Sequence, residues 1–238
     1  MEKYTDMLAT FGIGSAHPGG FKKSTEIIMD MELDEHSIVL DCGCGTGQTA
    51  AYIKQLYDCQ VTALEPHPLM YKKAQQRFES QFLSVDLRKA FIEAIPLDDS
   101  TTDYALSESV LSFASIQEGL SELHRVLKQS GSIYLNEFVC FSPLSMNEQE
   151  TLKAEYGFSQ LLHAKEWQQE LANAGFRQIV VMETFTAATL QQDETDKGND
   201  MQPSSTIAPS YYEKMHQHQT LMAHYKDKIG HILIKAIK

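Results

Sequence analysis

The sequence predicts a doubly wound α/β domain, and three observations carry that prediction. Ile38, Val39 and Leu40 form a short apolar run of buried-strand type, closed by Asp41 and followed by Gly43, Gly45 and Gly47 at alternate positions. Residues 49–57 then read as a helix whose free N–H groups face the turn, so strand, glycine turn and helix build the ligand-binding corner of such a fold. Second, Gln60–Leu64 reads as another strand and ends on Glu65, eighteen residues after Gly47. An acid there lies beside the first turn and can accept two hydrogen bonds from a ribose diol. Third, helical and strand-like stretches keep alternating through the rest of the chain.

Taken in order, residues 2–11 place Tyr4, Leu8 and Phe11 at helical spacing. Four glycines and a proline in residues 12–20 forbid regular structure. This loop is placed like a lid over the glycine turn; a plain connecting loop with a solvated His17 is the other reading. Ser24 or Thr25 is expected to cap a helix running to about residue 31, with Ile27, Ile28 and Met31 inward. Pro66 and Pro68 stop the second strand and open a helix carrying Met70, Ala74 and Phe78 on one side. Strands are expected at 82–85, 104–106 and 133–135, with a helix over 116–128 that buries Leu120, Leu123 and Leu127. Residues 142–164 are loosely helical. Trp167, Leu171 and Ala174 mark a helix ended by Gly175, before a strand at 179–182. Residues 190–209 are polar and expected to form a long mobile loop. Residues 211–225 are amphipathic, with Tyr211, Met215, Met222 and Tyr225 on one face, and Ile229–Ile237 reads as the last strand.

Glycine spacing narrows the ligand. A dinucleotide fingerprint needs G-x-G-x-x-G. Counted from Gly43 the third glycine would be Gln48, and counted from Gly45 it would be Ala50. The form present, D-x-G-x-G-T-G from Asp41 to Gly47, resembles motif I of the class I S-adenosylmethionine (SAM)-dependent methyltransferases. Glu93, Ile95, Pro96, Leu97, Asp99 and Ser100 match that family's segment over the adenine, D-A-E-x-L-P-[FL]-x-D-x-S, although Phe91 stands where the family often has an aspartate. Leu120 to Gly131 is similar to its L-x-E-x-x-R-V-L-K-P-G-G, and Ala174-Gly175-Phe176 to its junction before strand six. His17-Pro18-Gly19-Gly20 resembles the H-x-G-G element of sarcosine/dimethylglycine-type and related small-molecule methyltransferases. The chain is thus identified as similar to small-molecule, UbiE-like members.

That resemblance implies a Rossmann-like seven-stranded sheet of order 3-2-1-4-5-7-6, the last strand antiparallel, with SAM above strands one and four. It implies one domain: an N-terminal helical lid over 1–34, a cofactor half over 35–140 and an acceptor half over 141–238. The cofactor-binding residues expected are Asp41, Gly43, Cys44, Gly45, Gly47, Glu65, Pro66, Ile92, Glu93 and Ser107. Methyl transfer asks the protein mainly for alignment and desolvation, with a base only where the acceptor loses a proton. Glu108, at the end of strand four, and His17 are the candidates; Asn136 and Glu137, at the end of strand five, would line the acceptor pocket.

The chain of 238 residues carries a net charge of −12, which argues against nucleic acid or an anionic membrane as the main partner and favours a small-molecule acceptor. Four cysteines without a C-x-x-C pair, and no apolar core of a signal peptide at the start, lead us to expect reduced thiols and a cytoplasmic location. The histidines at 216, 218, 224 and 231 lack i, i+4 spacing, so no metal site is expected. A homodimer is left open. Two rival functions remain at this stage: a SAM-binding protein without transferase activity, and a nicotinamide-dependent oxidoreductase.

Overall fold

The computed structural model describes residues 3–192 and 200–238. Its centre is a seven-stranded sheet of order β3-β2-β1-β4-β5-β7-β6. The strands are β1 (Ile38–Cys42), β2 (Gln60–Leu64), β3 (Asp86–Arg88), β4 (Thr102–Glu108), β5 (Leu127–Cys140), β6 (Arg177–Thr186) and β7 (Ile229–Ile237). β1 to β5 run parallel, and β7 runs antiparallel to both neighbours, β5 and β6. The expected strand order and the antiparallel last strand are both observed.

Period-two alternation buries the sheet on both faces, as parallel sheets require. Leu40 and Cys42 join one core with Leu120, Leu123 and Trp167. Those side chains come from α5 (Ile116–Val126) and α7 (Ala164–Asn173). Val39 faces the other core, with Ile27, Ile53 and Phe78 from α2 (Gly20–Asp30), α3 (Gln48–Tyr57) and α4 (Pro68–Ser80). A third cluster lies over the carboxyl ends of the strands. There α1 (Tyr4–Phe11), α6 (Met146–Tyr156) and α9 (Pro209–His224) pack on Phe138, Cys140 and Ile229. Tyr225 is buried in it, and Tyr211, Met215 and Met222 are partly buried against it, so that amphipathic face packs on the core. Among the described residues no helix is long and apolar enough to cross a membrane.

Several boundaries differ from expectation for identifiable reasons. Strand three begins after residues 82–85, because the chain is still finishing α4 there: Phe82 N–H donates to Glu79 O and Leu83 N–H to Phe78 O, leaving Phe82 94% exposed at φ 55°. Ser24 and Thr25 do not cap α2. Gly19, at φ 79°, starts the helix a turn earlier and places Ser24 inside it. α5 stops at Val126, and Leu127 already pairs with Thr102, so strand five is longer than 133–135.

Of the loop expected over 190–209, residues 193–199 lie outside the described ones; 187–192 form α8 (Ala187–Gln192), and 200–204 lie against the N-terminal turn. There Gly14 N–H donates to Asp200 O, Gln202 N–H to Gly12 O and Ser204 N–H to Thr10 O. Lys73 also bonds Gln202 O, and Arg77 pairs with Asp200 while its Nε donates to Thr46 O at 2.7 Å. The described end of that stretch is therefore tied to α4 and, through Thr46, to the glycine turn.

Candidate active site

One cavity of about 760 Å³ opens above the carboxyl ends of β1, β2 and β4, where a doubly wound sheet reverses its strand order. Its floor is the turn after β1. At Gly45, φ is 58° and the side a Cβ would fill is open, with Met70 Sδ 4.0 Å away as the nearest atom. Backbone is therefore bare to a ligand there. Asp41, Gly43 and Cys44 also line the cavity, as do Glu65, Pro66, Ile92, Glu93, Glu108 and His17.

Two residues expected at the cofactor do not line it. A Cβ on Gly47 would stand 2.6 Å from Phe78 Cζ and 3.1 Å from Ala74 Cβ, so this glycine lets α4 pack against the turn. Ser107 is fully buried and donates to Glu137 Oε1 at 3.2 Å. Glu137 itself turns away from the cavity. Its carboxylate accepts the N–H groups of Val110, Leu111 and Ser112 and the Ser112 hydroxyl, which caps the short 3-10 turn Leu111–Phe113. Asn136 is equally buried, lies outside the cavity lining and meets the site at His17 and Glu108.

Three buried carboxylates surround the cavity. Glu65 accepts the Gly45 N–H at 2.9 Å and the His67 N–H at 2.7 Å, one on each oxygen. Burial pushes it up to about 7 against the pull of those two donors. Asp41 is 3% exposed, and its Oδ2 has no partner among the described residues. Burial, then the charges of Glu108 and Glu65, raise it to about 8. Glu108 accepts the Ser24 hydroxyl at 3.1 Å and the Thr49 hydroxyl at 3.3 Å, and lies 3.3 Å from His17 Nε2. Burial raises it to about 7, opposed by its hydrogen bonds from Ser24, Thr49 and Asn136. His17 Nδ1 lies 3.3 Å from Asn136 Nδ2 and 3.4 Å from Pro18 O, which turns Nε2 toward Glu108. Three carboxylates desolvated together favour a ligand that brings positive charge. An orphaned acceptor at Asp41 and bare backbone at Gly45 fit a group carrying an ammonium and a sulfonium.

Local reading missed several parts of this site. Glu122 accepts the Ile95 N–H at 2.8 Å and pairs with Arg125, whose guanidinium donates to Ile95 O and Leu97 O. These two side chains hold the segment after Ile92, and the L-S-E-L-H-R match already contained them. Gln48 lines the cavity and accepts the Ser15 hydroxyl at 3.0 Å, clasping the N-terminal segment. An aromatic wall of Tyr4, Phe113, Phe138 and Tyr156 left no local signal, because its rings come from four separate elements. Among the described residues no group of three or more His, Cys, Asp or Glu side chains is placed to hold a metal ion.

Residues 40–135 match the family model described as "Methyltransferase domain". Over its whole length the chain is 35% identical to all of the uncharacterized methyltransferase YodH of Bacillus subtilis (strain 168). The chain belongs to the class I SAM-dependent methyltransferases. Over 159 residues the methyltransferase is also 31% identical to malonyl-[acyl-carrier protein] O-methyltransferase of Paenibacillus sp. (strain JDR-2), covering 59% of this chain and 55% of that one. Its fold superposes on phosphoethanolamine N-methyltransferase 2 of Haemonchus contortus, solved with S-adenosyl-L-methionine, with a TM-score of 0.79 at 18% identity. That superposition covers 98% of this chain and 57% of the longer one. The methyltransferase is therefore an enzyme that uses SAM.

Proposed function

We propose that the enzyme methylates a small molecule held at the Glu108–His17 end of the cavity, with SAM lying across the turn from Asp41 to Gly45 and against Glu65. The observation that carries this reading is the grouping of Asp41, Glu65 and Glu108 around one cavity floored by bare glycine backbone. In it Glu65 accepts the ribose hydroxyls, Asp41 meets the ammonium, and Gly43, Cys44 and Gly45 offer backbone to the methionine part. Pro66, the backbone of Ile92 and Glu93 border the adenine side. When bound, SAM supplies an electrophilic methyl group. The chain's own residues align the acceptor, keep water out and, where needed, take a proton.

A small acceptor is supported by the roof. Residues of α1 and α6 line the same cavity, so its volume of about 760 Å³ serves cofactor and acceptor together. The net charge of −12 points away from a nucleic-acid acceptor. Four free thiols accord with a reducing, cytoplasmic setting.

Calorimetric titration with SAM, S-adenosylhomocysteine (SAH) and NAD tests the reading. SAM and SAH should bind and NAD should not. Glu65→Ala removes charged acceptors worth roughly 1.5–3 kcal/mol per hydrogen bond, so SAM affinity should fall on the order of 10- to 100-fold. NAD binding without SAM binding, or an unaffected Glu65→Ala variant, would contradict it.

A further inference from the structure

Resting on that reading, we propose that the acceptor is a neutral hydroxylated aromatic molecule, seated among Tyr4, Phe113, Phe138 and Tyr156, whose hydroxyl proton passes to Glu108. The rings converge from α1, the 3-10 turn, β5 and α6. Tyr4 stacks near Phe113 with centroids 6.3 Å apart and meets Tyr156 edge-on at 5.0 Å. Phe113 meets Phe138 edge-on at 6.3 Å. All four line the cavity that also holds Glu108 and His17. Offset and edge-to-face contacts favour a flat aromatic guest there.

Charge selects within that class. Asp6, Asp41, Glu65, Glu93, Glu108 and Glu155 line the cavity, against Lys3 as its one lysine and no arginine among the described lining residues. A phosphate or carboxylate would find no guanidinium fork. At the aromatic end the carboxylates already have neighbours with which a cationic acceptor would compete. Glu155 pairs with Lys214 at 3.0 Å, Asp6 with His67 at 3.1 Å, and Glu108 is ringed by Ser24, Thr49 and His17. What remains is a neutral guest that needs a proton acceptor.

Glu108, raised to about 7, suits a phenolic hydroxyl of pKa about 10 and not an aliphatic one nearer water's value of about 15.7. In the transfer, a lone pair of the acceptor oxygen forms the new C–O bond as the methyl–sulfur bond breaks. The electron pair of that broken bond stays on sulfur. The hydroxyl proton moves to the Glu108 carboxylate, which the Ser24 and Thr49 hydroxyls hold in place and which lies 3.3 Å from His17 Nε2.

The test uses the full chain, saturated with SAH for binding and supplied with SAM for turnover. The probes are 2-naphthol, benzylamine and phosphoethanolamine, followed by calorimetry and by mass spectrometry of products. 2-Naphthol should bind and yield 2-methoxynaphthalene, and the other two should do neither. Phe113→Ala should weaken 2-naphthol binding about tenfold while SAH affinity holds. Phe113→Leu keeps bulk without the ring and makes the same comparison should the alanine variant unfold. Glu108→Gln should cut turnover by about 10²–10⁴ while leaving 2-naphthol bound. Preference for benzylamine or phosphoethanolamine, 2-naphthol bound but never methylated, or Phe113 variants that bind as wild type would each overturn the proposal. SAH binding without 2-naphthol binding sinks this inference alone, whereas loss of SAH binding sinks the reading beneath it.

Discussion

Gly45 and Gly47 stand two residues apart in one turn, and alanine at each should fail in a different way. Both have left-handed backbone, φ 58° and φ 78°. An L side chain costs about 1–2 kcal/mol in that region. At Gly45 the added methyl meets open cavity, with nothing nearer than Met70 Sδ at 4.0 Å, so Gly45→Ala should pay little beyond the backbone cost. At Gly47 the methyl would stand 2.6 Å from the Phe78 ring, which is itself packed and 4% exposed. Overpacking of this kind adds about 1–3 kcal/mol, for a total of about 2–5 kcal/mol. For a chain of this size each kcal/mol moves the Tm by roughly 2–4 °C. Gly45→Ala should therefore lower the Tm by roughly 2–8 °C and Gly47→Ala by roughly 4–20 °C, the second always the larger because both share the backbone cost and only Gly47 adds the clash. Urea unfolding of both variants separates them directly. SAH titration should rank them the other way among folded molecules, because only the Gly45 methyl enters the cavity. If Gly47→Ala is no less stable than Gly45→Ala, or if Gly45→Ala binds SAH as wild type does, the assignment of one glycine to packing and the other to the ligand is wrong.

Two further outcomes follow from the same geometry. Asp41, Glu65 and Glu108 are raised to about 8, 7 and 7 from 3.8, 4.5 and 4.5, so the folded chain keeps protons that the unfolded chain has lost. Their contribution to stability therefore declines as pH rises from about 4 through about 8, by at most about 1.4 kcal/mol per pH unit for each group. Asp41→Asn should flatten that decline in urea unfolding between pH 5.5 and 8.5; an unchanged slope would remove Asp41 from the account. Arg77→Ala strips the donor from Thr46 O and the partner from Asp200. Because Asp200 is about one-third exposed, the loss should be about 2–3 kcal/mol, below the 3–5 kcal/mol of a fully buried pair, and thermal unfolding with no measurable shift would refute it.

The sheet was legible because its signals are local. Ile38 to Leu40, the glycines after Asp41, and Gly175 ahead of strand six each declare themselves within a few residues, through period-two burial and backbone conformations that glycine alone adopts cheaply. Glu65 was legible for the same reason: a parallel strand that ends beside the first turn leaves its terminal acid nowhere else to point. The same local logic misplaced strand three, where an apolar Phe82 was spent on ending a helix, and misread Ser24 as a cap when Gly19 had already started α2.

By itself, then, the sequence determined the family through its motifs, with the strand order that the resemblance implies, and the glycine corner that floors the cavity, since each rests on residues close in the chain. Only the tertiary structure decided what lines the cavity. His17 reaches Glu108 across ninety-one positions of sequence, and four rings from four elements share one cavity. It also divided the glycines, because whether a missing Cβ serves a ligand or a neighbouring helix depends on what lies across the gap. Such juxtapositions are set by how helices pack over the sheet, and no period or spacing along the chain encodes them.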